Sequence, residues 1–336
     1  VSSDEIMLSR LTRRQCLIGA SGLALGACAP KSTAPGLLRS SDVHPADYPT
    51  VKAVNWLGEQ LSTATQGRLR IKTYHSGQLG RESEALDLVR LGALDITRVF
   101  VGGLTNIFDE TTILCLPFYM RSKAHLRAVL DGPIGASILD RFTAMDLVGL
   151  AFYDSGARNL YTGHKAVRTP KDLVGQKIRA PNSDLFIEFL RALGANPTPL
   201  AFSAVYSALE TRLIDGAENN LRSYHSSRHF EAAKYFSLTE HSFAPDVLVM
   251  SRKLWLRLGK DDQTLIQSLA RQSVTVMRAL WDEGEATAQQ ALIARGVNQI
   301  TVDRSAFAAA VAPMVDRYVN QPNLRTLADQ INGLAQ

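Results

Sequence analysis

Gly156-Ala157-Arg158, Lys177-Ile178-Arg179-Ala180-Pro181 and Asp215-Gly216-Ala217-Glu218-Asn219-Asn220 lie within one stretch, Gly156 to Asn220. Their polar spacing makes little sense as surface decoration. Arg179 follows a turn ending in Gly175 and opens like a short strand. A guanidinium at a strand end can hold a carboxylate by two parallel charge-assisted hydrogen bonds. An amide such as Asn219 can donate to the same carboxylate or to a neighbouring hydroxyl. The stretch reads as a holder for the anionic group of a small ligand.

The flanks place this stretch inside an α/β pattern. Upstream, Leu37–Asp42 reads as a strand and the residues to Thr65 as a helix with Val51, Val54, Leu57 and Leu61 on one face. Leu69–Tyr74 reads as a strand, Glu82–Leu91 as a helix and Asp95–Val101 as a third strand. That alternation predicts a parallel sheet with right-handed crossovers. Helices over Lys123–Leu130 and Pro133–Met145 lead to a strand, Leu147–Phe152. A second α/β pattern follows. Thr169-Pro170-Lys171-Asp172 is a helix start, Lys177–Ala180 a strand, and Ser183 the cap of a helix closed by Gly194. Ser203 is expected to cap another helix, reaching Leu213. Asp246–Ser251 reads as a strand crossing back to the first lobe. Asp261–Arg295 is a long helix whose Leu265, Leu269, Val276, Leu280 and Trp281 predict a stripe touching both lobes. Ile300–Val302 is a last strand. The expectation is a two-lobed, hinged, periplasmic-binding-protein-like α/β fold with its ligand in the cleft.

The first residues read as targeting rather than structure. If Met7 is the start, Arg13-Arg14 ends a basic region and Cys16–Ala27 is an apolar segment too short to span a bilayer. Thr12–Ile18 resembles a twin-arginine export motif, with Cys16 where Phe is usual. Leu25-Gly26-Ala27-Cys28 resembles a lipobox; a plain cut after Cys28-Ala29 competes with it. Residues 1–29 are thus expected to be an export signal and 30–36 a tether. Residues 37–153 with 245–280 are expected to form lobe I, and 154–244 with 281–336 lobe II. The protein is expected in the periplasm, touching membrane only through a lipid on Cys28.

Net charge is +5, but no Lys/Arg block exceeds a pair, so no nucleic-acid partner is expected. Cys115 sits in an apolar run and reads as a small hydrophobe. His225 and His229 are four apart, yet no third ligand or general base accompanies them, so neither metal nor cofactor is expected. No phosphate loop or nucleophile elbow occurs.

Gly77-Gln78-Leu79-Gly80, Gly92-Ala93-Leu94-Asp95, Leu116-Pro117-Phe118, Gly175–Arg179 and Asp215–Asn219 together resemble the DctP-like solute-binding subunits of tripartite ATP-independent periplasmic (TRAP) transporters. The resemblance covers essentially everything after Gly36. It implies a non-enzymatic protein that captures an organic acid and serves membrane permease subunits. It also implies that Arg179 makes the main salt bridge to the ligand carboxylate, with Arg158 second and Asn219 third. His44-Pro45, Asp154–Arg158, Ala217–Asn220 and Arg228–Tyr235 with Ser237–His241 look like the branch binding glucuronate and galacturonate. Phe100, where a polar Asn is usual, and Leu221-Arg222, where an apolar-Pro pair is usual, depart from it. Phe100 could remove a hydroxyl contact or favour a less hydroxylated ligand.

Further ligand contacts are open between two readings each. Glu84 is a hydroxyl acceptor or a helix-surface acid. His44 points into the cleft or belongs to the turn at Pro45. Arg98 is a ligand contact or part of a structural ion pair. Tyr206, Tyr48, Phe100 and Tyr153 form an apolar wall or sit in the core. Two rival functions remain at this point: an exported enzyme acting on a small organic acid, and a binding subunit that feeds a sensor. C4-dicarboxylates and 2-oxo acids are the rival ligands.

Overall fold

The computed structural model describes residues 36–334. The export signal, most of the tether, Cys16 and Cys28 fall outside the described residues. The order of elements is β1 (Leu37–Ser41), α1 (Pro49–Ala64), β2 (Arg70–Tyr74), α2 (Glu82–Leu91), β3 (Ile96–Phe100), α3 (Glu110–Cys115), α4 (Lys123–Asp131), α5 (Pro133–Arg141) and β4 (Leu147–Tyr153). Then come β5 (Arg158–Thr162), β6 (Lys177–Ala180), α6 (Asp184–Ala192), β7 (Asn196–Pro199), α7 (Val205–Glu210), β8 (Gly216–Asn220), α8 (Leu221–Ser226), β9 (Tyr235–Ser242) and β10 (Asp246–Ser251). The chain ends with α9 (Arg252–Trp255), α10 (Lys260–Ala294), β11 (Asn298–Ile300), α11 (Arg304–Val319) and α12 (Pro322–Asn332).

Among the described residues the strands form two sheets, ordered β2-β1-β3-β10-β4 and β11-β9-β5-β8-β6-β7. β1 pairs in parallel with β2 and β3, as the strand-helix alternation predicts. The sheet is nevertheless mixed, because β10 returns from the second sheet and inserts antiparallel between β3 and β4. Every residue of β4 and β10 is buried, the pattern of strands covered on both faces.

The chain passes from one sheet to the other between β4 and β5. Gly156 takes φ +67° there, and a Cβ on it would stand 3.0 Å from the Trp281 ring of α10. A side chain at that point would meet both backbone strain and a wall. Asp154, two residues earlier, is buried between Arg127 at 2.5 Å and Arg278 at 3.1 Å.

α10 crosses both halves. Its first part packs on α1 and β4 and its later part on α8. The buried stripe is Ile266, Leu269, Ala270, Ser273, Met277, Trp281, Ala288 and Leu292. The predicted stripe is therefore rotated: Leu265, Val276 and Leu280 are only half-buried. Ser203 is not a cap either. It lies in a 3-10 turn, Phe202–Ala204, and the following helix ends at Glu210 rather than Leu213. Ser183 does cap α6, accepting from the Phe186 amide. The last strand stops at Ile300. α12 packs on α3 and α5, beside the first sheet, with the Tyr119 hydroxyl donating to the Ala328 carbonyl.

Polar bonds join the halves around the cleft. The Tyr48 hydroxyl and Ser223 Oγ are 2.9 Å apart, Thr105 Oγ1 and Ser183 Oγ 2.8 Å, and Asn106 Oδ1 accepts from the Asp184 amide at 3.0 Å. Among the described residues no helix is long and apolar enough to cross a membrane.

Candidate functional site

A cavity of about 730 Å³ lies between the two sheets and is lined from both sides. Second-sheet strands supply its basic wall. β5 and β8 are antiparallel neighbours, so Arg158, at the start of β5, and Glu218, Asn219 and Asn220, on β8, converge. β6 lies on the other side of β8 and brings Arg179 alongside Ala217. All these polar residues are buried.

Arg158 is neutralised from within. Its Nε and Nη2 donate to Glu218 Oε2 and Oε1 at 2.6 and 2.7 Å. Its guanidinium lies 4.4 Å from the centroid of the Phe100 ring, a cation–π contact. Burial opposes ionisation of Glu218, but the Arg158 charge and hydrogen bonds from His241 and Arg158 hold its pKa down to about 2.

Arg179 has no such partner. Its Nε and Nη2 donate to the Leu200 carbonyl at 2.9 and 2.7 Å. Among the described residues no carboxylate comes within ion-pair distance of it. Burial, opposed by Glu218, and the nearby Arg158 charge push its pKa down. The side-on edge of the fork is thus fixed by a backbone carbonyl, and the end-on Nη1/Nη2 edge is left for an acceptor. An unpaired buried cation is costly, and this one stands at the cavity wall.

Asn219 Oδ1 accepts from Arg158 Nη1 at 3.3 Å and from the Asn220 amide at 2.8 Å. Its Nδ2 donates to nothing among the described residues. Asn220, not Asn219, caps α8. His229 also lines the cavity, sharing a 2.8 Å hydrogen bond with the Tyr161 hydroxyl. Burial and the Arg179 charge hold its imidazole near a pKa of about 3, so it is neutral.

The opposite wall comes from the first sheet. Arg98 is 1 % exposed and committed to carboxylates: Nε and Nη2 to Asp42 at 3.1 and 2.5 Å, and Nη1 to Glu82 at 2.5 Å. His44 lines the cavity, its ring stacked 5.3 Å from Phe202 and its Nδ1 3.3 Å from Arg98 Nη2. Glu84 sits at the rim, but its carboxylate closes the start of α2, accepting from the Arg81 amide at 2.8 Å and from the Arg81 guanidinium. Tyr206 also reaches the rim, with its hydroxyl donating to Glu231 at 2.9 Å.

Most of the residues singled out by sequence are therefore gathered around one cavity, with unequal freedom to meet a ligand. Tyr48 and Tyr153 do not form its wall. Both are core residues, with Tyr153 bonded to Ser273 of α10. Phe100 is the platform under Arg158. Arg222 lies over Gly284 of α10, where a Cβ would collide with its guanidinium. Glu218, Glu82, His229 and Asp246 were missed. For Glu218 and Asp246 the missed signal was strand context, since both sit in strands with every residue buried. Among the described residues no His/Cys/Asp/Glu group is arranged to hold a metal.

A family model of bacterial extracellular solute-binding proteins, family 7 (DctP), matches residues 40–321. A solute-binding protein of Chromohalobacter salexigens is 35 % identical, over 96 % of this chain and 97 % of its own. A TRAP periplasmic solute-binding protein from Bradyrhizobium sp. BTAi1, solved with α/β-D-galacturonate, is 48 % identical with a TM-score of 0.87, covering 88 % of this chain and 99 % of its own. One from Pseudomonas putida F1, solved with bound D-glucuronate, is 36 % identical with a TM-score of 0.87, covering 89 % and 98 %. These matches span the two sheets, the cleft and α10, and the chain belongs to the DctP family of TRAP periplasmic solute-binding proteins.

Proposed function

We propose that the cleft captures a hexuronate, D-galacturonate or D-glucuronate, by its carboxylate, and releases it unchanged. The observation that carries this reading is Arg179: a buried guanidinium held by Leu200, with an edge free and no carboxylate neighbour among the described residues. Arg158 and Glu218 cancel, so the basic wall carries about one net positive charge, which matches one carboxylate. The ligand carboxylate docks on Nη1 and Nη2 of Arg179, and Asn219 Nδ2 and the remaining Arg158 donor complete its shell. The sugar acids bound in the two solved relatives point to the same ligand class.

A ligand touching both walls favours the closed arrangement, because only there are both sets of contacts made. That form is then offered to permease subunits, with a lipid on Cys28 as a tether. Glu84 and Tyr206, spent on Arg81 and Glu231, act at the rim. Arg98 and His44 shape the far wall.

A thermal-shift screen of hexuronates, C4-dicarboxylates and 2-oxo acids tests the reading, since a ligand bound only by the folded form raises its melting temperature. Hexuronates are expected to give the largest shift. A larger shift with succinate or pyruvate would reject it.

A further inference from the structure

The wall facing Arg179 has an excess of negative charge. Three carboxylates, Asp42, Glu82 and Asp246, surround the single guanidinium of Arg98. Asp42 and Glu82 take its donors. Asp246 stands 3.6 Å from Nη1, beyond a hydrogen bond. The Asp246 side chain is 4 % exposed and the residue lines the cavity. Its carboxylate accepts no hydrogen bond among the described residues. A buried polar group is normally satisfied, so an unsatisfied one at a cavity wall calls for a donor from a ligand or water.

Among the described residues no donor lies within hydrogen-bond distance of that carboxylate, and Arg98 at 3.6 Å is shared by three acids. His44 is neutral: burial, opposed by Asp42 and reinforced by Arg98, holds its pKa near 3. Burial, opposed by Arg98 and reinforced by Glu82 and Asp42, pushes Asp246 up to about 7. Asp246 is also the ladder partner of Phe100, whose ring carries Arg158. Cross-strand partners project from the same face of a sheet, so the unsatisfied acid and the ring beneath the basic wall are neighbours. Above about pH 7 the cavity is positive at Arg179 and negative at Asp246.

We propose that Asp246, with Glu82 beside it, is a hydroxyl-accepting subsite that reads the sugar end of the ligand and rejects a second carboxylate there. This rests on the reading of the ligand as a hydroxylated monocarboxylate. Ligand hydroxyls donate to the Asp246 carboxylate while Arg179 holds the acid group. A C6 aldaric acid, which carries a carboxylate at both ends, meets like charge at the far wall. The pocket thus selects a uronate over its aldarate by polarity.

Calorimetry of D-galacturonate and galactarate at pH 8, where Asp246 is charged, on the wild type and on Asp246→Asn and Glu82→Gln, tests this. The variants keep shape and remove charge, so the acyclic form of galactarate affects every protein equally. The wild type is expected to favour galacturonate by about 100-fold or more, a like-charge penalty of the size seen at interfaces. Asp246→Asn is expected to weaken galacturonate about tenfold, the scale of a hydrogen bond to a charged group, and to shrink the preference by at least that factor. Glu82→Gln should shrink it less. Equal wild-type affinity for both acids, or a preference unchanged in both variants, would overturn the subsite. Failure of the wild type to bind galacturonate would instead overturn the hexuronate reading on which the subsite rests.

Discussion

Glu218 grips Arg158 through both carboxylate oxygens, at 2.6 and 2.7 Å, while Arg179 on the next strand but one has only a backbone carbonyl. Two guanidiniums share one wall, and one internal acid cancels one of them. The remaining charge stays uncancelled at the cavity wall.

Glu218→Gln is expected to destabilise the fold. It leaves two guanidiniums buried close together with no counter-charge. Breaking a buried pair by removing one partner costs about 3–5 kcal/mol. Urea unfolding should show the loss as a lower midpoint with little change in slope. A midpoint equal to the wild type's would contradict the assigned role.

The two acids that flank the cavity should give opposite pH signatures. The pKa of Glu218 is depressed in the folded state, to about 2. Its stabilisation is present above the ordinary glutamate range and is lost as pH falls toward 2. The gap between wild type and Glu218→Gln should therefore narrow on going from pH 5 to pH 2. Asp246 is raised, to about 7. Its ordering is reversed: the wild type is penalised progressively as pH rises from about 4 to 7. The charges of Arg98, Glu82, Asp42 and Arg158 act on it, and it acts in turn on Tyr48. Ligand-free Asp246→Asn should melt above the wild type at pH 8 and close to it at pH 4. The reverse order at pH 8 would contradict an unsatisfied, charged Asp246.

Much of this site was legible in the sequence, and the gaps have physical causes. Lys177–Ala180, Ser183 and Glu82–Leu91 carry local signals, a strand after a glycine turn, a side-chain cap and a clean helical period. β5, β8 and β9 carry none. Arg158–Thr162 and Gly216–Asn220 are polar segments buried on both faces, so their burial comes from tertiary packing rather than from alternation. That hid the pairing of Arg158 with Glu218. Glu82 and Glu84 are two apart on α2 and point to different places. Periodicity marks both as helix acids, and only the position of Arg98 on β3 shows which one turns inward. Asp246 opens a strand whose hydrophobic run is clear, yet its unsatisfied carboxylate follows from Arg98 turning toward Asp42 and Glu82 instead.

Phe100→Leu should weaken ligand binding without unfolding the protein. The ring supports the Arg158 guanidinium at 4.4 Å and packs against Phe186, with centroids 5.7 Å apart. A desolvated cation–π interaction is worth about 1–2 kcal/mol, or roughly 5- to 30-fold in dissociation constant. Phe100→Tyr should retain most of the affinity. Equal weakening in both would contradict the platform role.

Tyr48→Phe removes one of the bonds across the cleft, to Ser223 on α8. A neutral hydrogen bond contributes about 0.5–1.5 kcal/mol. If that bond belongs to the closed form, affinity should fall roughly 2- to 10-fold as the open population grows. Small-angle scattering of the ligand-free variant should show a larger radius of gyration. An unchanged radius and affinity would mean that the bond does not bias closure.

The most direct measurement is calorimetric titration of D-galacturonate into the wild type and into Arg179→Met, with thermal unfolding of both ligand-free proteins. The methionine removes an uncompensated buried cation and keeps much of its volume. Binding is expected to weaken by about 100-fold or more, the scale of deleting a charged, two-pronged hydrogen bond from a buried site. The ligand-free variant is expected to melt at or above the wild-type temperature. Undiminished affinity in Arg179→Met would contradict the claim that this guanidinium anchors the ligand.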